Sequence, residues 1–495
     1  MRKQGFLVIA ALVLMVLSGC SLIAPADDEP ANDSPTEDDS PTTLPSSKTF
    51  WAQTATNGAW YQITAAKAGE SAHCIVYGDT TLKAASSTTG KYTAAQAQAL
   101  ANEYETYVWS QITGAFGDIY DVDGNGKVIL LLLDIVDGYP TQTGGGYVAG
   151  YFDSTHMLSG AYSNRADMLF MDVNPGTVGD ATFNATMAHE LQHLINWSET
   201  VAKNRSEKEL WINEGLSTGA EYVYSSAKGS GGDPGDRVNY YNAVRNPSSQ
   251  YYSQTGSYNT FFYWDSSLMD YSTDFLFFQY LRIHASNGTG IYKDIIQNSY
   301  GDYRAVTASA ASRFSPSGFY TGGESDTEKW SVLLTKWVLA NAIQHTSNFY
   351  GYKNDAAIGS LQHLTFTGTN GTSISLRPGE AIFSRLGTTR TYSNGNNIKY
   401  AAISKNGDSS VIDEDGTYTT STPDLLTLNV DVNCKGAASS GKLADYQSGP
   451  MQPVTSGGLS ASVVSGGGAS VPLLPETYPL SFGDMRRIRE REAGR

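Results

Sequence analysis

The segment His189-Glu190-Leu191-Gln192-His193 sets two imidazoles four residues apart. That is about one helical turn, so both project from one face. Two such histidines can bind one zinc ion, and Glu190 beside them points toward a water on that ion. A lone HExxH can also arise from incidental surface histidines. The segment Trp211-Ile212-Asn213-Glu214-Gly215-Leu216-Ser217 strengthens the metal reading, because Glu214 can supply a third ligand. A His/His/Glu set leaves tetrahedral zinc one open position for water and substrate, as in catalytic sites.

These residues need helices to hold them. Phe183, Met187, Leu191 and Ile195 fall on the stripe opposite the two histidines and predict a helix over 182–197, with one core face and one chemical face. A second helix is predicted over 207–224, with Glu214, Ser217, Thr218 and Glu221 along one side. Upstream, Ala97, Leu100, Ala101, Tyr104, Val108 and Ile112 predict a helix over 94–116. Strands are expected at 60–65, 74–77, 127–135, 146–152 and 168–173. Helices follow at 272–284, 291–300 and 327–345, and short strands and turns occupy 361–432. The small residues of Gly146-Tyr147-Val148-Ala149-Gly150 suit an edge strand against which a substrate backbone could lie.

An HExxH helix followed by a helix carrying Asn213-Glu214-Gly215 resembles the gluzincin metallopeptidases. Within them the chain looks closest to the hyicolysin family of exported bacterial zinc peptidases, over residues 51–432. The resemblance implies an α+β, thermolysin-like fold. In it a mixed sheet carries the HExxH helix, a helical subdomain follows, and small β-rich segments lie at both ends. It implies His189, His193 and Glu214 as zinc ligands and Glu190 as general base. Glu221 matches an acidic position of the aminopeptidase branch and is a candidate partner for a ligand histidine. Thr218 stands where the thermolysin-like pattern has Asp, so the surroundings of the ligands must be built differently. No Gly-x-Met-Glu-Asn sequence is present, which favours an endopeptidase over an aminopeptidase. In gluzincins the oxyanion donor is typically a Tyr or His on a later segment. Tyr271 is the candidate here, unless it is simply one more aromatic of a Tyr-rich core, and His284 is a competitor.

A second metal candidate is Asp121-Val122-Asp123-Gly124-Asn125-Gly126-Lys127, the first half of an EF-hand-like calcium loop with Asp121, Asp123 and Asn125 as oxygen ligands. Position twelve is Leu132 rather than Glu, so a complete EF-hand is rejected. Asp118, Asp134 or Asp137 could close another oxygen cage, and the alternative is a Gly-rich turn entering a strand. Cys74 and Cys434 could form a bridge or stay as two thiols, and no CxxC exists.

Arg2 and Lys3 precede an apolar run, Phe6 to Leu17, that is too short for a comfortable membrane span, and Leu17-Ser18-Gly19-Cys20 resembles a lipobox. Cys20 is thus expected to carry a lipid anchor, with an ordinary secretory signal as the alternative. Residues 22–47 hold seven acids, no basic residue and five prolines, a composition that cannot bury a core and reads as a tether. With 33 basic against 49 acidic residues and a net charge of -16, the chain is a poor partner for nucleic acid.

The expected layout is a signal peptide at 1–19, tether at 20–47, β segment at 48–92, and a catalytic subdomain with the HExxH helix at 93–198. A helical subdomain with the third ligand follows at 199–358, a second β segment at 359–434, and a low-complexity tail at 435–495. The leading function is a lipid-anchored zinc endopeptidase of the bacterial cell envelope, acting on polypeptides. The alternative is an adhesin-like binding lipoprotein that keeps the fold without turnover.

Overall fold

The computed structural model describes residues 45–83, 91–139, 147–230, 237–244, 268–314 and 319–362, and beyond these strand segments between 381 and 431 and at 479–481. Cys20, the tether before residue 45 and Cys434 lie outside the described residues.

The central element is β4 (Val128–Leu133), six consecutive apolar residues that are all buried. An uninterrupted run of this kind is what a strand covered on both faces requires. It pairs in parallel with β3 (Cys74–Asp79) and β6 (Met168–Asp172). On one side β1 (Ser47–Gln53) and β2 (Trp60–Glu70) extend the sheet antiparallel. On the other, β5 (Tyr147–Tyr151) runs antiparallel to β6. The three strands of the segment 48–92 therefore belong to the same sheet as the strands next to the HExxH helix.

The outer side of β5, expected to offer a free edge to substrate, is paired in parallel with β13 (Pro479–Ser481), Leu480 standing opposite Val148. A second sheet, in the order β10-β9-β12-β7, is built from Ala381–Leu386 (β7), Ile398–Ile403 (β9), Val411–Asp413 (β10) and Leu425–Asp431 (β12). Arg390–Tyr392 (β8) pairs with Tyr418–Thr420 (β11).

Alternate residues of the main sheet face opposite ways. Cys74, Val76, Val128, Leu130, Leu132, Leu169 and Met171 enter the main core with the helices. The opposite face is covered by aromatics: Phe50 meets Tyr77 edge-on at 5.1 Å, and Tyr151 stacks on Phe170 at 4.2 Å. Cys74 belongs to the core, and burial pushes its thiol up to about 12.

The helical segment expected at 94–116 begins with a capping box, in which Thr93 accepts from Gln96 N–H and the Gln96 side chain returns to the Thr93 backbone. It runs as α1 (Ala94–Glu103), a π-helical stretch Tyr104–Trp109, and α2 (Ser110–Phe116). α3 (Ala181–Glu199) starts where Asp180 Oδ1 accepts Phe183 N–H at 2.7 Å. α4 (Leu210–Ala227) packs on α3, and α5 (Arg237–Val244) and α6 (Leu268–His284) follow. α7 (Gly290–Gln297), α8 (Tyr303–Arg313) and α9 (Asp326–Ile343) complete the helical part. α5 and α8 carry almost no periodic apolar signal, so their sequences alone do not predict helices.

α4 and α6 approach closely because position 215 has no side chain. A Cβ at Gly215 would lie 2.2 Å from the Phe278 ring, so the residue after Glu214 must be glycine for α6 to dock there.

Candidate metal centre

α3 and α4 bring the three expected ligands together. His189 Nε2 lies 3.4 Å and His193 Nε2 lies 3.6 Å from Glu214 Oε2. Ligands about 2.0–2.1 Å from a tetrahedral zinc ion stand roughly 3.3–3.4 Å from one another, so these spacings suit one ion. All three residues are buried or nearly so. Burial alone would push the His189 imidazole down, yet the carboxylates of Glu214, Glu221 and Glu190 outweigh it and raise its pKa to about 10. The pocket thus favours positive charge at the point where the three donors meet, as a cation site should.

Glu190, one residue along α3 from His189, is buried, and its Oε2 accepts the Phe152 N–H at 3.0 Å. The carboxylate is thereby fixed between α3 and the end of β5. Gly150 makes room for this: a Cβ there would meet the Phe170 carbonyl at 2.9 Å and Glu190 Cγ at 3.4 Å.

The surroundings of the ligands differ from the thermolysin-like pattern, as Thr218 anticipated. The Thr218 hydroxyl turns back onto its own helix and donates to the Gly215 carbonyl at 2.8 Å. Glu221, two turns after Glu214, instead places Oε1 2.7 Å from His189 Nδ1. Burial would raise the Glu221 carboxyl, but the Arg237 guanidinium and the His189 imidazole hold it below the usual carboxylate range. At the second histidine, Ser217 Oγ sits off the ring edge, 3.1 Å from Nδ1 and 3.3 Å from Nε2 of His193, and donates to Gln192 Oε1 at 2.5 Å. The spacing of Ser217 puts it on the same helix face as Glu214, but its contact with His193 depends on how α3 docks on α4.

Tyr271 is buried, its ring centroid 6.2 Å from that of His189 and beneath the Arg237 guanidinium at 5.3 Å. His284, the competitor, is not part of the centre. Its Nε2 donates to the Gly351 carbonyl at 2.8 Å, burial pushes its pKa down to about 4, and it packs on Tyr280 and Phe349. Asp274, one turn after Asp270 on α6, is fully buried, and burial together with Asp270 and Glu214 holds its carboxyl well above the usual range.

The second acidic group is assembled differently from the sequence expectation. Carboxylate oxygens of Asp121, Asp123 and Asp167 lie within 4.8 Å of one another. Asn125, expected as a third oxygen ligand, accepts the Lys127 N–H at 2.6 Å through Oδ1. Asp118, Asp134 and Asp137 are engaged elsewhere: Asp118 near Lys203, Asp134 with Asn174, and Asp137 with the amides of Tyr139 and Val148. Asp167 joins because it immediately precedes β6, next to the entry of β4, where its carbonyl accepts the Ile129 N–H. Burial, then the neighbouring Asp123 charge, push the Asp167 carboxyl up to about 7.

No family model matches the chain. The chain is similar to a neutral metalloprotease. The relative is ShpI of Staphylococcus hyicus, 30% identical over 212 residues, which are 41% of this chain and 45% of the relative. The matched part thus spans less than half of that protein. The likeness, together with the His189, His193 and Glu214 group, supports a metalloprotease family and a metal cofactor.

Proposed function

We propose that the protein is an exported, lipid-anchored, zinc-dependent endopeptidase of the gluzincin kind, with Glu190 as general base. The observation that carries this reading is the convergence of His189, His193 and Glu214 at tetrahedral spacing beside a carboxylate fixed at the end of β5. A zinc ion held there would polarise the scissile carbonyl and lower the pKa of water. Glu190 takes the water's proton and later delivers it to the leaving amine. Its bond to the Phe152 amide keeps the carboxylate from swinging away between these two transfers. Tyr271 is the proposed donor to the developing oxyanion.

The test uses the purified full-length protein and an unfolded polypeptide with a blocked amino terminus. About one zinc per chain and internal cleavage that a chelator abolishes are expected. Lack of zinc rejects the reading, and removal of single residues from unblocked peptides only would replace endopeptidase by aminopeptidase. An adhesin-like protein would bind polypeptide without cutting it, a reading that the likeness to a protease does not favour.

The cell-envelope location is proposed from Cys20. No helix among the described residues is long and apolar enough to cross a membrane. An acyl chain contributes about 0.8 kcal/mol per buried methylene, so Cys20→Ser should move the protein from the membrane pellet to the soluble fraction. Continued pelleting of the variant would remove the anchor from the proposal.

Calcium at Asp121, Asp123 and Asp167 is an accessory proposal. Three carboxylates too close to ionise independently would gain stability from a divalent cation among them. Asp123→Ala should melt like calcium-stripped wild type and gain nothing from added calcium. A calcium-dependent melting shift that persists in the variant would leave the loop as a turn only.

A further inference from the structure

Arg237, the first residue of α5, was not singled out by any motif, yet its guanidinium is buried against the metal centre. One terminal nitrogen lies 3.1 Å from Oε1 and 3.2 Å from Oε2 of Glu221. The guanidinium carbon stands 5.3 Å from the centroid of the Tyr271 ring. Arg237 on α5 therefore joins Glu221 on α4 to Tyr271 on α6. The charge balance gives the contact weight: Glu190, Glu214, Glu221 and Asp270 are all buried nearby on α3, α4 and α6. The two buried lysines among the described residues donate to carbonyls elsewhere, Lys208 to Asn298 and Tyr300, and Lys336 to Phe319.

Glu221 has a job that backbone geometry alone cannot secure. Its place on α4 fixes the Cα, but three side-chain torsions still decide where the carboxylate points. Only one orientation lets Oε1 accept from His189 Nδ1, which leaves Nε2 as the lone-pair nitrogen facing Glu214. One terminal nitrogen of Arg237 meets both carboxylate oxygens, including the Oε1 that His189 contacts, and removes that freedom. We propose that Arg237 is a positioning residue of the metal centre, which fixes Glu221 as the acceptor for His189 and so sets how tightly the centre retains zinc. This rests on the metal-centre reading above.

The experiment is a competitive zinc titration of the full-length protein against a chromophoric chelator, with far-ultraviolet circular dichroism to check the fold. Arg237→Met should weaken zinc binding by up to the roughly 10- to 100-fold that loss of a ligand's direct partner, here Glu221, costs. Arg237→Lys should fall between wild type and Arg237→Met, because an ammonium keeps the charge but, on a shorter and more strongly hydrated side chain, does not hold the same place against both Glu221 oxygens. In a Glu221→Gln background Arg237→Met should add little further loss, since the two residues act as one unit.

Zinc affinity at the wild-type level in a folded Arg237→Met overturns the inference, and so do losses that multiply independently in the double variant. If Arg237→Met does not fold, Arg237→Lys decides, and wild-type affinity there overturns it equally. Wild-type protein that takes up no zinc would instead sink the metal-centre reading, and this inference with it.

Discussion

Glu190→Gln should keep zinc and the fold but lose turnover by roughly 10²- to 10⁴-fold, the usual cost of removing a general base. Glutamine matches glutamate in shape, and its amide carbonyl can still accept the Phe152 N–H that Glu190 Oε2 now accepts at 3.0 Å. The change therefore leaves α3 and β5 docked and removes only the basicity. The measurement is a pair: zinc content per chain and the rate of cleavage of an unfolded polypeptide. Zinc at wild-type content with an undiminished rate would show that Glu190 is not the base. Loss of zinc would show that it is a ligand, against the geometry, because His189, His193 and Glu214 already supply three donors at tetrahedral spacing. A binding protein would give a third result, unchanged partner affinity and no cleavage by either form.

The parts of the centre that could be read in the sequence are those that one helix or two consecutive helices determine. His189 and His193 share a face because four residues make about one turn, and Glu221 shares the Glu214 face because seven make about two. β4 was equally readable, since six consecutive apolar residues leave few alternatives to a strand buried on both sides. What could not be read depends on register between distant segments. Asp167 reaches Asp121 and Asp123 only through the parallel pairing of β4 with β6, and nothing in residues 121–127 encodes that neighbour. Arg237 comes from a helix with almost no amphipathic pattern, following residues 231–236, so its contact with Glu221 had no local signal. The Phe152 amide that holds Glu190 is a backbone group, and sequence carries no mark of it. His284 shows the reverse case: its residue type suited an oxyanion donor, but the Gly351 carbonyl and the aromatic rings around it give it a structural role.

Glu214→Gln should separate the ligand from the base, since the same chemical change is made about one helix away from Glu190. Glu214 is buried, with Oε2 3.4 Å and 3.6 Å from the two histidine Nε2 atoms, so the variant removes the anionic donor from a three-residue set. The neutral amide oxygen is a weaker ligand for a divalent cation, and the amide nitrogen of glutamine could point at the ion instead. Zinc affinity should drop by more than the roughly 10- to 100-fold that loss of an outer partner costs. The stabilisation that zinc provides is RT ln(1 + [L]/Kd), about 2.7 kcal/mol at a hundredfold excess over Kd, and a hundredfold weaker site forfeits most of it at the same zinc concentration. For a body of this size that corresponds to a melting point lower by several degrees. Chelated wild type and the untreated variant should then melt together, whereas Glu190→Gln should melt with zinc-loaded wild type. The reverse pattern, zinc retained by Glu214→Gln and lost by Glu190→Gln, would require the two carboxylates to exchange roles. That outcome would contradict a geometry in which Glu190 is bonded to the backbone of Phe152 while Glu214 faces both imidazoles.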